Sequence, residues 1–266
     1  MKIPGKLSSI TLCMRPLKTV FLLSSLALIP FPAVSQTVIT TVVEDHFSGR
    51  TSGTILGNTL PDTAGANQWI SGSVFTDTES ITIPSQGTSS GGRIIIAAPT
   101  EKIRVQADVI VGSAEWVGVG FQTGDNDFFV PTNPVMVYLR SNGTWYLCQN
   151  GPTEITHGTI ADFSATASYT LGLEYDTIAR TATVYINGAP VASVVALTLT
   201  NPAVGAAAFR INAQASTEVG ASTVDNFIVQ SITTAIPEPA TAVVAMGGLI
   251  GLFIIMQKIR SRQLRE

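Results

Sequence analysis

The chain predicts an all-β protein, a two-sheet antiparallel jelly-roll sandwich flanked by an N-terminal signal peptide and a C-terminal transmembrane helix. Three observations lead there. Between residues 37 and 235 no helical period appears. Short runs of alternating apolar and polar residues recur instead, separated by Gly, Pro, Asn, Asp and Ser clusters. Finally, the two long uncharged apolar runs lie at the ends of the chain, outside this patterned region.

The clearest strand is 101–112, where Ile103, Val105, Ala107, Val109 and Val111 share one face and Lys102, Arg104, Gln106 and Asp108 the other. In 114–122, Val117, Val119 and Phe121 lie opposite Trp116, Gly118 and Gly120. Strands over 135–140 and 144–149 are joined by Ser141-Asn142-Gly143, a hairpin signal because Asn-Gly tolerates positive φ. Tyr169, Leu171, Leu173 and Tyr175 alternate again, 180–186 runs into the turn Asn187-Gly188, and 222–232 forms the last strand. Roughly a dozen strands in one chain segment of this size imply two packed sheets rather than one open sheet. No fixed repeat is present, which argues against a solenoid or propeller.

At the N-terminus, Lys2, Lys6, Arg15 and Lys18 precede an apolar run over 20–30, and Ala33-Val34-Ser35 supplies small residues for signal peptidase. The reading is a signal peptide over 1–35, cut between Ser35 and Gln36, with Met14 an alternative start to Met1. At the other end, Pro237-Glu238-Pro239 precedes 17 residues without charge, 240–256, and a basic end with Lys258, Arg260, Arg262 and Arg265. At ~1.5 Å per residue such a helix just crosses a bilayer core. The expected organisation is a β-sandwich over 36–232, a linker over 233–239, a membrane helix over 240–257 and a basic cytoplasmic tail over 258–266.

Without the two ends, seven basic residues face 16 acidic ones, a net charge of about −9 for residues 36–236, and Lys102 is their only lysine. Such a surface argues against nucleic acid as a partner. Cys13 lies in the signal, leaving Cys148 alone in the remainder, so the fold must rest on its core rather than on an internal disulfide.

Two resemblances add to this reading. The order Pro237-Glu238-Pro239, apolar run, basic end resembles a PEP-CTERM sorting signal. It implies an exosortase and signal peptidase as processing enzymes and a membrane partnership through the C-terminal helix. It also implies an inner-membrane intermediate and delivery to the cell surface or extracellular matrix of a Gram-negative-type bacterium. Within the domain, 44–49 (EDHFSG), 169–192 (YTLGLEYDTIARTATVYINGAPVA) and 224–229 (VDNFIV) resemble concanavalin A-like, laminin-G-like sandwiches. That resemblance implies fold more than function.

The candidate chemistry is sparse. Retaining glycosidases need two carboxyls about 5 Å apart. Glu174-Tyr175-Asp176 matches the start of the Glu-x-Asp motif of concanavalin A-like glycosidases, but Ile178 and Ala179 stand where the general acid belongs. His46 and His157 are the two histidines, and no Gly-x-Ser-x-Gly or His-x-x-x-His pattern accompanies them. The chain therefore reads as a non-enzyme. Two isolated histidines argue against a zinc site, and calcium is the more open cofactor: Asp125 and Asp127 offer oxygen ligands at alternate positions, and Asp45 and Asp225 could meet if the first and last strands pair. Trp116 and Trp145 are the candidates for stacking a sugar ring. The expected function is a non-catalytic, glycan-binding sandwich on a sorted surface protein, with exopolysaccharide as partner. A polysaccharide hydrolase or lyase and a purely structural matrix protein are the alternatives.

Overall fold

The computed structural model describes residues 35–76, 79–83, 89–99, 101–124, 134–212, 222–235 and 239–263. Fifteen strands and one helix are found among them. The strands are β1 (Gln36–Asp45), β2 (Ile70–Ser71), β3 (Val74–Thr76), β4 (Ser80–Thr82), β5 (Ser90–Ile95), β6 (Lys102–Ile110), β7 (Trp116–Gln122) and β8 (Val135–Arg140). They continue with β9 (Thr144–Gln149), β10 (Thr153–Thr159), β11 (Tyr169–Asp176), β12 (Thr181–Ile186), β13 (Ala189–Ala196), β14 (Ala206–Asn212) and β15 (Thr223–Ala235). The helix is α1 (Pro239–Gln263).

The strands form two antiparallel sheets. One runs β13-β12-β11-β6-β15-β4-β3, with β1 added on β15, and the other runs β10-β9-β8-β7-β14-β5-β2. The alternation seen in the sequence decides which side chains enter the space between them. Ile103, Val105, Ala107 and Val109 of β6 and Leu171, Leu173 and Tyr175 of β11 face Val117, Val119 and Phe121 of β7 and Val137 and Leu139 of β8, all buried. Each fully buried side chain of this size contributes about 1.5–3 kcal/mol relative to exposure. An aromatic cluster extends the core, with Trp69 between Phe209 and Phe227 at ring separations of 5.7 and 5.1 Å.

The two Asn-Gly turns are built differently. Asn187 and Gly188 both take positive φ, 51° and 77°, the geometry of a two-residue hairpin turn. In the 141–143 turn Gly143 alone does so, at 82°, while the Asn142 carboxamide accepts from the Thr144 N–H at 3.0 Å. The domain also extends beyond its expected limit. Thr234 and Ala235 pair with Thr37 and Gln36, because β1 continues alongside them into the segment read as linker.

The C-terminal expectation is corrected. No helix among the described residues is long and apolar enough to cross a membrane. The charged Lys258 and Arg260 lie within the helix itself, ending its apolar run before the helix ends. Pro239 opens this helix instead of holding an extended motif, and the helix runs through Lys258, Arg260 and Arg262 without a break. Pro237 and Glu238 lie outside the described residues. The membrane span over 240–257 falls, and the PEP-CTERM assignment falls with it. So do the exosortase partnership, the membrane anchoring and the inner-membrane intermediate, each of which required that span. The signal segment, with Cys13, also lies outside the described residues.

Candidate functional site

The outer face of the seven-stranded sheet carries an unusual set of side chains, aligned by strand register. Gly91 of β5, Arg210 of β14, Gly118 of β7, Tyr138 of β8, Tyr146 of β9 and His157 of β10 occupy one row across six strands. The next row holds Arg93, Ala208, Gly120, Met136, Cys148 and Glu154. Bulky groups therefore stand over β8–β10, and glycine or alanine floors the centre at Gly118, Gly120 and Ala208. The glycines are required by close strand approach: a Cβ at Gly118 would lie 2.7 Å from the Val137 carbonyl oxygen, and one at Gly120 2.7 Å from Met136 Cβ.

The aromatic side forms a ladder. Trp116 lies 5.0 Å from Tyr138, Tyr138 stacks on Tyr146 at 5.1 Å, and Tyr146 sits 5.4 Å from His157. The Arg140 guanidinium lies over Tyr146 at 5.1 Å and pairs with Glu115 at 3.5 Å. Burial pushes both the Tyr138 phenol and the adjacent Cys148 thiol up to about 12, so both stay neutral in any ordinary buffer. The rings use their faces on one another, which makes the ladder a rigid wall rather than an open stacking floor.

Beyond that wall, where β2, β5, β14 and β7 meet, lies a cleft of about 370 Å³, within the range of about 300–1,000 Å³ usual for small-molecule sites. Arg93, Arg210, Gln122, Ser71, Ser89 and Ser90 line it, with Gly91 and Gly92 between them. Ser71 is fixed by donating to the Gly91 carbonyl at 2.7 Å. Gln122 is only 2% exposed, yet among the described residues nothing donates to its side-chain oxygen. A buried acceptor left without a donor costs roughly 1–3 kcal/mol, which marks a position that a ligand could satisfy.

The residues singled out from sequence fall elsewhere. Trp145 points into the core, 5% exposed, and packs over Gly158. Trp116 stands on the outer face, 4% exposed at the end of the ladder. Asp125 and Asp127 lie outside the described residues. Asp45 is fully buried, accepting from the Trp69 indole N–H at 2.8 Å and the Phe47 N–H at 2.9 Å. Burial raises its pKa above the usual carboxylate value. Asp225 lies across from Asp108 on the outer face of the other sheet, where burial, and next the Asp108 charge among the raising causes, push its pKa up. No group of three or more His, Cys, Asp or Glu among the described residues is placed to hold a metal.

The carboxylates of Glu174 and Asp176 are also engaged. Arg104 donates to Glu174 at 2.5 Å, and Lys102 lies 3.7 Å from each acid. Asp176 also accepts from the Ile178 and Ala179 N–H groups at 3.0 and 2.7 Å. His46 sits between Glu44 and Asp62, and His157 pairs with Glu154, on different sheets. Glu174, Asp176 and both histidines are thus tied into structural pairs.

Sequence reasoning missed Arg93, Arg210, Gln122, Tyr138 and Tyr146. Cross-strand register, which unites them on one face, has no local signature in the sequence.

No family model and no curated protein matches the chain. Among solved structures it is similar to the carbohydrate recognition domain of Emp47p, at 10% identity and a TM-score of 0.51 over 74% of this chain and 97% of that one. The potassium-bound carbohydrate recognition domain of Emp46p matches at 10% identity and a TM-score of 0.47, covering 66% of this chain and 95% of the other. Arcelin-5, a lectin-like defence protein from Phaseolus vulgaris, matches at 10% and 0.47, covering 75% and 99%. At such identities the likeness to Emp47p is one of fold: the chain shares the antiparallel two-sheet sandwich of that recognition domain.

Proposed function

We propose that this domain is a non-catalytic glycan-binding module whose ligand enters the cleft bounded by β2, β5, β14 and β7. The observation that carries this reading is the Gln122 side-chain oxygen, buried and, among the described residues, without a donor, in a cleft lined by two guanidinium groups and three serines. Sugars present many hydroxyl donors in a small volume, and rigid polar groups on strands suit them better than a hydrophobic pocket would. The Emp47p domain, a carbohydrate recognition domain by name, gives fold-level support. The signal over 1–35, cut between Ser35 and Gln36, would deliver the domain outside the cytoplasm, and N-terminal sequencing of the secreted form tests that part.

The test of binding uses the full chain and a panel of neutral and acidic oligosaccharides, following affinity and new reducing ends together. Binding without new ends is the expected result. Absence of binding to every member overturns the glycan reading and leaves a structural protein, and new reducing ends overturn the non-catalytic one. A chelator arm asks whether calcium contributes. Loss of binding on chelation, restored by calcium alone, would establish that calcium contributes.

A further inference from the structure

Resting on the glycan reading, we infer that the cleft selects an anionic sugar, one carrying a carboxylate or sulfate group, over a neutral one. Three of the seven basic residues between 36 and 236 lie on this single sheet face: Arg93, Arg140 and Arg210. In a segment of net charge about −9 that is a local concentration of positive charge, with Glu115 paired to Arg140 and Glu154 to His157 on the ladder side. Two of the three, Arg93 and Arg210, line the cleft itself.

Register explains how two guanidinium groups come together there. Arg93 pairs with Ala208, and Arg210 with Gly91. The two arginines therefore occupy diagonal positions on neighbouring strands, each opposite a residue too small to fill the space between them. Neighbouring diagonal side chains lie about 7–8 Å apart at their bases, within the reach of long side chains toward one bound group. A guanidinium presents its N–H donors in a planar fork that matches the two oxygens of a carboxylate or sulfate. Gln122, one further row along β7, supplies a buried acceptor that an anion cannot use but a sugar hydroxyl can. The cleft thus combines donors for an anionic substituent with an acceptor for a ring hydroxyl. A free inorganic anion would satisfy the first and leave the second orphaned, so the combination describes an acidic sugar.

The experiment measures affinity of the full chain for trigalacturonate, its fully methyl-esterified form and a 6-sulfated galactose trisaccharide. Esterification keeps ring and linkage and removes the charge. The expected result is trigalacturonate binding at least about tenfold tighter than the ester, in line with the strength of charge-assisted hydrogen bonds. R93Q and R210Q should each bring the acid close to the ester, while R210K, which keeps charge and loses the fork, should fall between. Q122L should weaken acid and ester by the same factor. The sulfated arm tells which anion the forks prefer. Equal affinity for acid and ester overturns the inference but leaves the glycan reading standing, whereas no affinity for any member of the full panel overturns both. Thermal melts of each variant separate lost binding from lost fold, and a variant that fails to fold is replaced by the Lys substitution at the same position.

Discussion

The Asp45 carboxylate is a structural clasp, and Asp45→Ala measures it. One oxygen accepts from the Phe47 N–H at 2.9 Å and lies 3.4 Å from Arg50, and the other accepts from the Trp69 indole N–H at 2.8 Å. Phe47 has a φ of 54°, a left-handed conformation that an aromatic residue rarely adopts, and Asp45 holds it there through the i to i+2 bond. Removing the carboxylate orphans two fully buried donors. At roughly 1–3 kcal/mol each the loss is about 2–6 kcal/mol, a large part of the ~5–15 kcal/mol typical of a folded domain. For a domain of this size the midpoint should fall by about 5–20 °C. The assay is thermal and urea unfolding followed by tryptophan fluorescence, since Trp69 reports on the clasp directly.

Asp45→Asn keeps one acceptor and should show about half the loss. It should also remove a pH dependence. The folded-state pKa of Asp45 is raised above the ordinary 3.8, so between that value and the folded pKa the native state binds more proton than the unfolded one. Stability must then decline as pH rises through that window, and the Asn variant should lack this decline. If Asp45→Ala melts within about 1 °C of the parent, below the smallest ΔΔG expected of a lost buried partner, the clasp does not exist. A midpoint that drops on chelation in the parent but not in the variant would instead make Asp45 a metal ligand.

Other consequences are simpler to read. Cys148, 1% exposed and with its thiol pushed up to about 12 by burial, should resist a thiol reagent in the native chain and react only on unfolding. Gly118→Ala and Gly120→Ala each force a Cβ to within 2.7 Å of the β8 strand, and each should cost about 1–3 kcal/mol by overpacking, read as a shift in urea midpoint at constant slope. Gln122→Leu should leave stability unchanged or raise it by about 1–3 kcal/mol, the cost of the orphaned oxygen it removes, while weakening sugar binding. A Leu variant that melts earlier than the parent would show that the oxygen has a partner in the native state.

How far the sequence could be read depended on whether the information was local. The inward faces of β6, β7 and β11 follow from alternation alone, because period-two patterning and burial are the same fact seen twice. Pairing is not local. Nothing in the sequence of β14 tells that Arg210 stands beside Gly118 and Gly91, and so the cleft was illegible. Tryptophans were favoured as sugar platforms on chemistry, yet Trp145 is inward by the same alternation that exposes Tyr146. The C-terminal expectation failed for another reason. It rested on a 17-residue uncharged run only just long enough to cross a bilayer core, and no helix among the described residues is long and apolar enough to do so.

The two ends of the seven-stranded sheet solve opposite problems with the same backbone. Over β8–β10, Tyr138, Tyr146 and His157 fill their row, stacking ring on ring and lending rigidity at little entropic cost, since each ring has only two side-chain torsions to freeze. Over β5, β14 and β7, Gly91, Gly118, Gly120 and Ala208 stand small beside Arg93 and Arg210, and among the described residues nothing donates to the Gln122 side-chain oxygen. Close strand approach at Gly91, Gly118 and Gly120 leaves no room for larger residues, and an orphaned acceptor destabilises the empty fold. Both features lie within two strands of each other and beside the cleft. Stability is therefore concentrated in the ladder and withheld from the cleft, the distribution expected where a ligand supplies the missing contacts. A ligand that satisfies Gln122 should accordingly raise the unfolding midpoint of the parent more than that of Gln122→Leu at equal occupancy. Equal shifts would mean that the orphaned oxygen is not where the sugar sits.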